Sequence, residues 1–315
     1  MAYVQLLGGL IYLLMGGDLL VRGAVALARR ARVPPVVVAL SVVAFGTSLP
    51  ELVVSVRAVL TGYSEIAIGN VVGSNIANAL LVVGAPAIIQ PLACTERTAR
   101  RNSTIMVGIS LLFVFLCLQG GLGNTAGIVL LAVLAVLVLY TARTTVAQRE
   151  ADQAPELEWV LGLPTKTRMI ALFIVAGAIG LPLGARMLVD AAVEVAAQLE
   201  ISNAVVGLTI VALGTSLPEI ATSVVAAYQR HAGVAMGTAI GSNVFNILGI
   251  MGVAALLSPA PITVPPSFLS LDLPVMVFTA LLLAFFVWRR RLGRLGGVFL
   301  VLGYGAYVIA LFGLG

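Results

Sequence analysis

Apolar stretches long enough to cross a bilayer follow one another along almost the whole chain. A membrane-crossing helix needs about 20 mostly apolar residues. On that rule the sequence predicts ten spans, at 3–28, 36–60, 65–90, 103–119, 122–141, 167–198, 205–228, 232–257, 270–288 and 296–313. The runs are too long and too unalternating for barrel strands, so the expected class is an all-α membrane protein. Composition agrees: 60% of residues are hydrophobic and only 10% charged, against about 25% charged in soluble domains. So few charges cannot cover a water-facing surface. This excludes a soluble enzyme, a disordered chain and a nucleic-acid binder. The first apolar segment lacks a basic region before it and runs past Leu27, so it reads as a span and not as a cleaved signal.

The arginines orient the spans. With the N-terminus outside, the cytoplasmic loops hold Arg29, Arg30 and Arg32, then Arg97, Arg100 and Arg101, then Arg143, Arg149, Lys166 and Arg168. Arg230 follows, and then Arg289, Arg290, Arg291 and Arg294. Arg22, Arg57 and Arg186 fall inside predicted spans, and the outer loops hold no Lys or Arg. The positive-inside rule then predicts an N-out, C-out protein of the plasma (inner) membrane, and accounts for the net charge of +5 without a nucleic-acid partner. The polar segment 142–166 reads as a cytoplasmic linker between residues 1–141 and 167–315. Cys94 and Cys117 are predicted near opposite membrane faces, too far apart for a disulfide.

The two halves repeat each other. Val43–Glu51 reads Val-Ala-Phe-Gly-Thr-Ser-Leu-Pro-Glu, and Val211–Glu219 differs from it only at Leu213. The offset that carries Glu51 to Glu219 also carries Gly73–Asn75 onto Gly241–Asn243, both Gly-Ser-Asn. Five spans per half is an odd number, so the second half enters from the opposite side. The expected fold is therefore two inverted five-helix repeats, a recurrent plan of secondary transporters. In the same register Asp18 and Arg22 correspond to Arg186 and Asp190. Each pair is four residues apart on one helix face and reads as self-neutralising.

The repeated residues carry the chemistry. Glu51 and Glu219 fall within apolar spans, where an ionised side chain costs about 3 kcal/mol unless it meets a cation or a wet cavity. Each follows a proline, Pro50 or Pro218. Proline lacks an N–H and clashes with the carbonyl four residues back, so these helices should break and free carbonyl oxygens. Such backbone is tolerated at membrane depth only inside protein or beside a cavity. Thr47, Ser48, Thr215 and Ser216 add hydroxyls, and the next span in each half adds Ser74 with Asn78 or Ser242 with Asn246. Gly69 with Gly73, and Gly237 with Gly241, would let those spans pack closely. All these donors are hard oxygens, suited to Na⁺ or Ca²⁺ and not to soft metals. Two carboxylates give a charge of about −2, which one Ca²⁺ or two Na⁺ would neutralise, and a bare pair is costly to move through a low-dielectric barrier. That penalty would couple the movement of one ion to the return of the other.

At these residues the chain resembles the calcium/cation antiporter superfamily, and within it the prokaryotic sodium/calcium exchangers. Gly-Thr-Ser-Leu-Pro-Glu followed by Gly-Ser-Asn, twice, is similar to that family's paired alpha-repeats. The resemblance implies a secondary active antiporter, not an enzyme, that exchanges Na⁺ for Ca²⁺ by alternating access and moves net charge. It implies no cofactor and no obligatory protein partner, the ions and the lipid bilayer being the only partners. Glu51 and Glu219 would be shared ligands, with Thr47 and Thr215 completing the Ca²⁺ site. Ser48 and Ser74 with the Ala44 carbonyl would form one flanking Na⁺ site, and Ser216 and Ser242 with the Ala212 carbonyl its mirror. Asn78 and Asn246 would line the centre, and spans one and six would form the gate. Some archaeal and potassium-dependent relatives have Asp at the position of Asn246; asparagine there argues against potassium dependence. Proton-coupled relatives tend to have Gly-Asn before the Pro-Glu, which ranks Ca²⁺/H⁺ exchange second.

Overall fold

The computed structural model describes residues 1–30, 48–93, 97–148, 162–228 and 232–314. In chain order its helices begin with α1 (Ala2–Arg30), α2 (Leu49–Leu60) and α3 (Ser64–Ala77). A π-helical turn at Asn78–Val82 leads into α4 (Val83–Ile89). Strand β1 (Leu92–Ala93) precedes α5 (Arg97–Cys117), α6 (Asn124–Gln148) and α7 (Thr167–Gln198). Next come α8 (Asn203–Val206), a π turn at Gly207–Val211, α9 (Ala212–Thr215), α10 (Leu217–Tyr228) and α11 (Ala232–Phe245). A π turn at Asn246–Met251 leads into α12 (Gly252–Leu257), and another at Phe268–Asp272 leads into α13 (Leu273–Trp288). Strand β2 (Arg291–Leu292) and α14 (Arg294–Leu314) close the order.

Among the described residues, eight helices are long and apolar enough to cross a membrane: Ala2–Leu27, Ser64–Ile89, Ala99–Cys117, Asn124–Thr141, Thr167–Gln198, Met236–Leu257, Phe268–Trp288 and Arg294–Phe312. Each overlaps one of the ten expected spans. The other two expected spans, 36–60 and 205–228, are the ones that carry Pro-Glu. Residues 36–47 of the first lie outside the described residues. The second is interrupted at Ser216, between α9 and α10, where the proline two residues on removes a helical hydrogen bond.

Small residues set the helix packing. A Cβ on Gly9 would lie 2.7 Å from the Leu188 backbone nitrogen, and one on Gly177 2.6 Å from the Gly16 carbonyl oxygen. Positions rising along α1 meet positions falling along α7, so the two helices are antiparallel. The enclosed helix is α3, whose residues from Ile66 to Ala77 are all buried. Its Gly69 and Gly73 press on the backbone of the second half: a Cβ on Gly69 would lie 2.9 Å from the Ala204 carbonyl oxygen. This is the close packing that the glycine spacing predicts, but only in the first half: a Cβ on Gly237 or Gly241 would meet nothing within 4 Å, so the expected close packing of that pair does not form.

Two short pairings tie loops of one half to loops of the other. Leu92 and Ala93 face Leu292 and Arg291 in an antiparallel ladder. Leu122 and Ile262 exchange N–H···O bonds of 2.9 and 3.0 Å. An all-α reading did not anticipate this ladder, because two residues carry no strand periodicity. The charge pairs form as expected, Arg22 to Asp18 at 2.8 Å and Arg186 to Asp190 at 3.7 Å. Cys117 is buried and free, while Cys94 and most of the expected linker, 149–161, lie outside the described residues.

Candidate functional site

The two Pro-Glu segments build matching corners. Ser48 stands at the start of α2 with φ −92° and ψ 9°, and Ser216, its counterpart, has φ −84° and ψ 3°. Both sit in the sparsely populated bridge region, where active-site residues are often found. Proline enters at the second residue of each following helix, where its missing N–H costs nothing, and glutamate follows it. Asn78 and Asn246, also counterparts, each open a π turn. Such turns are frequent at functional sites. Helix α2 packs against the π turn at Asn246, and α10 against the one at Asn78. Each glutamate helix therefore meets the asparagine turn of the opposite half.

The carboxylates are withdrawn from the surface, Glu51 being 1% exposed and Glu219 fully buried. Glu219 reaches Ser48, three residues before Glu51, which brings the two Pro-Glu segments together. Glu219 accepts a long hydrogen bond from the Ser48 hydroxyl, 3.4 Å to its Oε1. Both oxygens of Glu51 are buried without a hydrogen-bond partner, as are the amide atoms of Asn78 and Asn246 and the Ser216 hydroxyl. Buried polar atoms are nearly always paired. A cluster of unpaired carboxylate, amide and hydroxyl oxygens fits a hard cation, which takes many oxygen ligands.

Of the expected site residues, Glu51, Glu219, Ser48, Ser216, Ser74, Ser242, Thr215, Asn78, Asn246 and Ala212 are all buried. Ala44 and Thr47 lie outside the described residues. Two serine contacts cross between the halves. The Ser74 hydroxyl donates to the Ala212 carbonyl of the opposite half, at 3.5 Å, and Ser48 turns to Glu219. Helix α3 is pressed into the second half by Gly69 and Gly73, which brings its Ser74 to the Ala212 carbonyl.

Two features escaped the sequence reading. Asn70, fully buried, donates to the Glu51 carbonyl oxygen at 3.3 Å and to the Ser55 hydroxyl at 3.0 Å. It also accepts from the Thr215 hydroxyl at 3.0 Å. Its counterpart in the second half is Thr238, so a search for repeated polar residues passes over it. Asp272, 1% exposed, accepts a 2.8 Å hydrogen bond from the Tyr307 hydroxyl. A carboxylic residue in an expected span was a signal for it, but it too has no repeated partner.

Comparison with known proteins gives these features a family. The sodium/calcium exchanger protein family matches residues 1–143 and 169–313. The inner membrane protein YrbG of Escherichia coli is 33% identical, over 99% of this chain and 97% of its own length. The sodium/calcium exchanger MaX1 of Methanosarcina acetivorans is 32% identical, over 98% of each. A solved structure of the sodium-calcium exchanger NCX_Mj soaked with Na⁺ and Sr²⁺ superposes with a TM-score of 0.66 at 30% identity, covering 98% of this chain and 97% of that one. The chain is a multi-pass integral membrane protein that belongs to the sodium/calcium exchanger family.

Proposed function

We propose that this protein exchanges Na⁺ for Ca²⁺ across the membrane by alternating access, with Glu51 and Glu219 as the shared ligands. One observation carries the reading: Glu51 is buried with neither carboxylate oxygen bonded, on the segment whose Ser48 donates to a second buried carboxylate, Glu219. A buried carboxylate with neither oxygen bonded is destabilising, and a cation offsets it. Thr215, Ser48, Ser216, Ser74, Ser242, Asn78, Asn246 and the Ala212 carbonyl supply the remaining oxygens. Thr47 and the Ala44 carbonyl complete the set by the repeat.

One Ca²⁺ balances the two carboxylates. Exchange for Na⁺ carrying more charge than Ca²⁺ makes transport electrogenic. The ten-span, inverted plan and its division at the 142–166 linker are part of the same reading. Antiparallel packing of α1 against α7 supports it, because these would be the first spans of the two halves. The loop pairings support the alternation of sides, since Leu92 with Leu292 and Leu122 with Ile262 each join loops assigned to one side; the N-out, C-out orientation rests on the arginine distribution. A plasma (inner) membrane location accords with the name of the Escherichia coli relative.

The test is Ca²⁺ uptake into Na⁺-loaded proteoliposomes. Uptake should collapse when internal Na⁺ is replaced by choline and should respond to an imposed membrane potential. Uptake driven by a pH gradient alone would instead establish Ca²⁺/H⁺ exchange.

A further inference from the structure

Asn70 uses both of its amide N–H donors and its carbonyl oxygen. A primary amide offers two N–H donors and a carbonyl acceptor. Here the donors go to the Glu51 carbonyl oxygen at 3.3 Å and the Ser55 hydroxyl at 3.0 Å, and the acceptor takes the Thr215 hydroxyl at 3.0 Å. Turning the amide over would set its oxygen against the Glu51 carbonyl, so the network fixes its orientation. One side chain thus joins two turns of α2 to Thr215 of the opposite half. It grips Glu51 by the main chain and leaves both carboxylate oxygens unbonded.

Thr215 has one hydroxyl proton and three acceptors within reach: Asn70 Oδ1 at 3.0 Å, the Val211 carbonyl at 3.0 Å and the Ala212 carbonyl at 3.3 Å. When the proton goes to Asn70, the hydroxyl lone pairs point away from Asn70 and are open to a cation. Among the described residues the second half has no such clamp. Thr238 stands where Asn70 would be, and Ser223, the counterpart of Ser55, is buried with its hydroxyl unpartnered.

We propose that Asn70 is a positioning residue that sets the spacing between Glu51 and Thr215, and thereby the size of divalent cation the site prefers. The proposal rests on the reading of these residues as Ca²⁺ ligands.

The test uses purified full-length protein and follows its thermal stabilisation by Ca²⁺ and, separately, by Sr²⁺, a larger ion of the same charge. Asn70→Ala should raise the Ca²⁺ concentration for half-maximal stabilisation about tenfold, by loss of hydrogen bonds to ligand residues. It should also move the Ca²⁺/Sr²⁺ preference toward Sr²⁺, which a general loss of stability would not do. Asn70→Thr, which copies Thr238, guards against misfolding of the alanine variant and should shift the preference in the same direction. Unchanged half-saturation and preference in both variants would overturn the proposal. If the wild type responds to Ca²⁺, Glu51→Gln does not, and the Asn70 variants match wild type, then only the role of Asn70 fails. If Ca²⁺ and Sr²⁺ leave the wild type unaffected, the site reading and the proposal fall together.

Discussion

Glu51 and Glu219 hold the same place in the two repeats, yet their surroundings differ. Glu219 accepts a hydroxyl hydrogen bond from Ser48 of the other half. The matching donor for Glu51 would be Ser216, whose hydroxyl is buried and unpartnered. Glu51 is held instead through its main chain, by Asn70, a residue the second half replaces with Thr238. The difference teaches how a duplicated site divides its labour. On the proposed reading the repeated residues supply cation ligands twice over, while the unrepeated Asn70 holds one copy and not the other. A pseudo-two-fold arrangement of ligands therefore need not give two equivalent carboxylates.

The sharpest way to break this comparison is to neutralise each glutamate in turn. Glu51→Gln and Glu219→Gln should each lower Ca²⁺ uptake by at least ~30-fold, the scale of removing one member of a buried charge interaction. Their stabilities should diverge, as read by thermal unfolding without divalent cations. Glu51→Gln removes an unpartnered buried charge and should raise the unfolding temperature. Glu219→Gln keeps an oxygen to accept from Ser48 and should change it less.

The serines come next. Ser48→Ala deletes a long hydrogen bond to a carboxylate, and a loss of about 1 kcal/mol would lower apparent ion affinity by roughly fivefold. Ser216→Ala removes a hydroxyl with no protein partner, so its effect should be smaller and confined to ion binding. Equal effects on ion-free stability would show that the asymmetry has no energetic weight. Thr238→Asn restores the repeat and should bond the Ser223 hydroxyl, raising stability by about 1 kcal/mol in denaturant unfolding. The smallest effect should come from the half-exposed pair Asp18 and Arg22. Replacing both by Asn and Gln should change stability by less than about 1 kcal/mol and leave exchange rates unaltered.

The sequence was legible where physics acts locally or where the repeat duplicated a signal. Bilayer length and apolar composition located the eight long apolar helices of the described residues, and Pro218 foretold the break at Ser216. The Asp18–Arg22 and Arg186–Asp190 pairs followed from four-residue spacing. Contacts made across halves were not legible. Nothing local says that Ser74 reaches the Ala212 carbonyl, or that Ser48 turns to Glu219. The π turns at Asn78 and Asn246 add a residue to a helical turn without any composition signal. Asn70 and Asp272 were overlooked because duplication was the filter, and both are unduplicated. Their partners, Thr215 and Tyr307, lie 145 and 35 residues away.

The central claim is that one buried pair of carboxylates is shared by Ca²⁺ and Na⁺, so that occupancy by one ion excludes the other. Its most direct test is Ca²⁺ uptake into proteoliposomes across a Na⁺ gradient, with wild type and Glu51→Gln side by side. The account predicts rapid wild-type uptake that needs Na⁺ on the opposite side and carries net charge, and none above background for Glu51→Gln. Wild-type uptake that continues with choline in place of Na⁺, or Na⁺-driven uptake that survives Glu51→Gln, would contradict it.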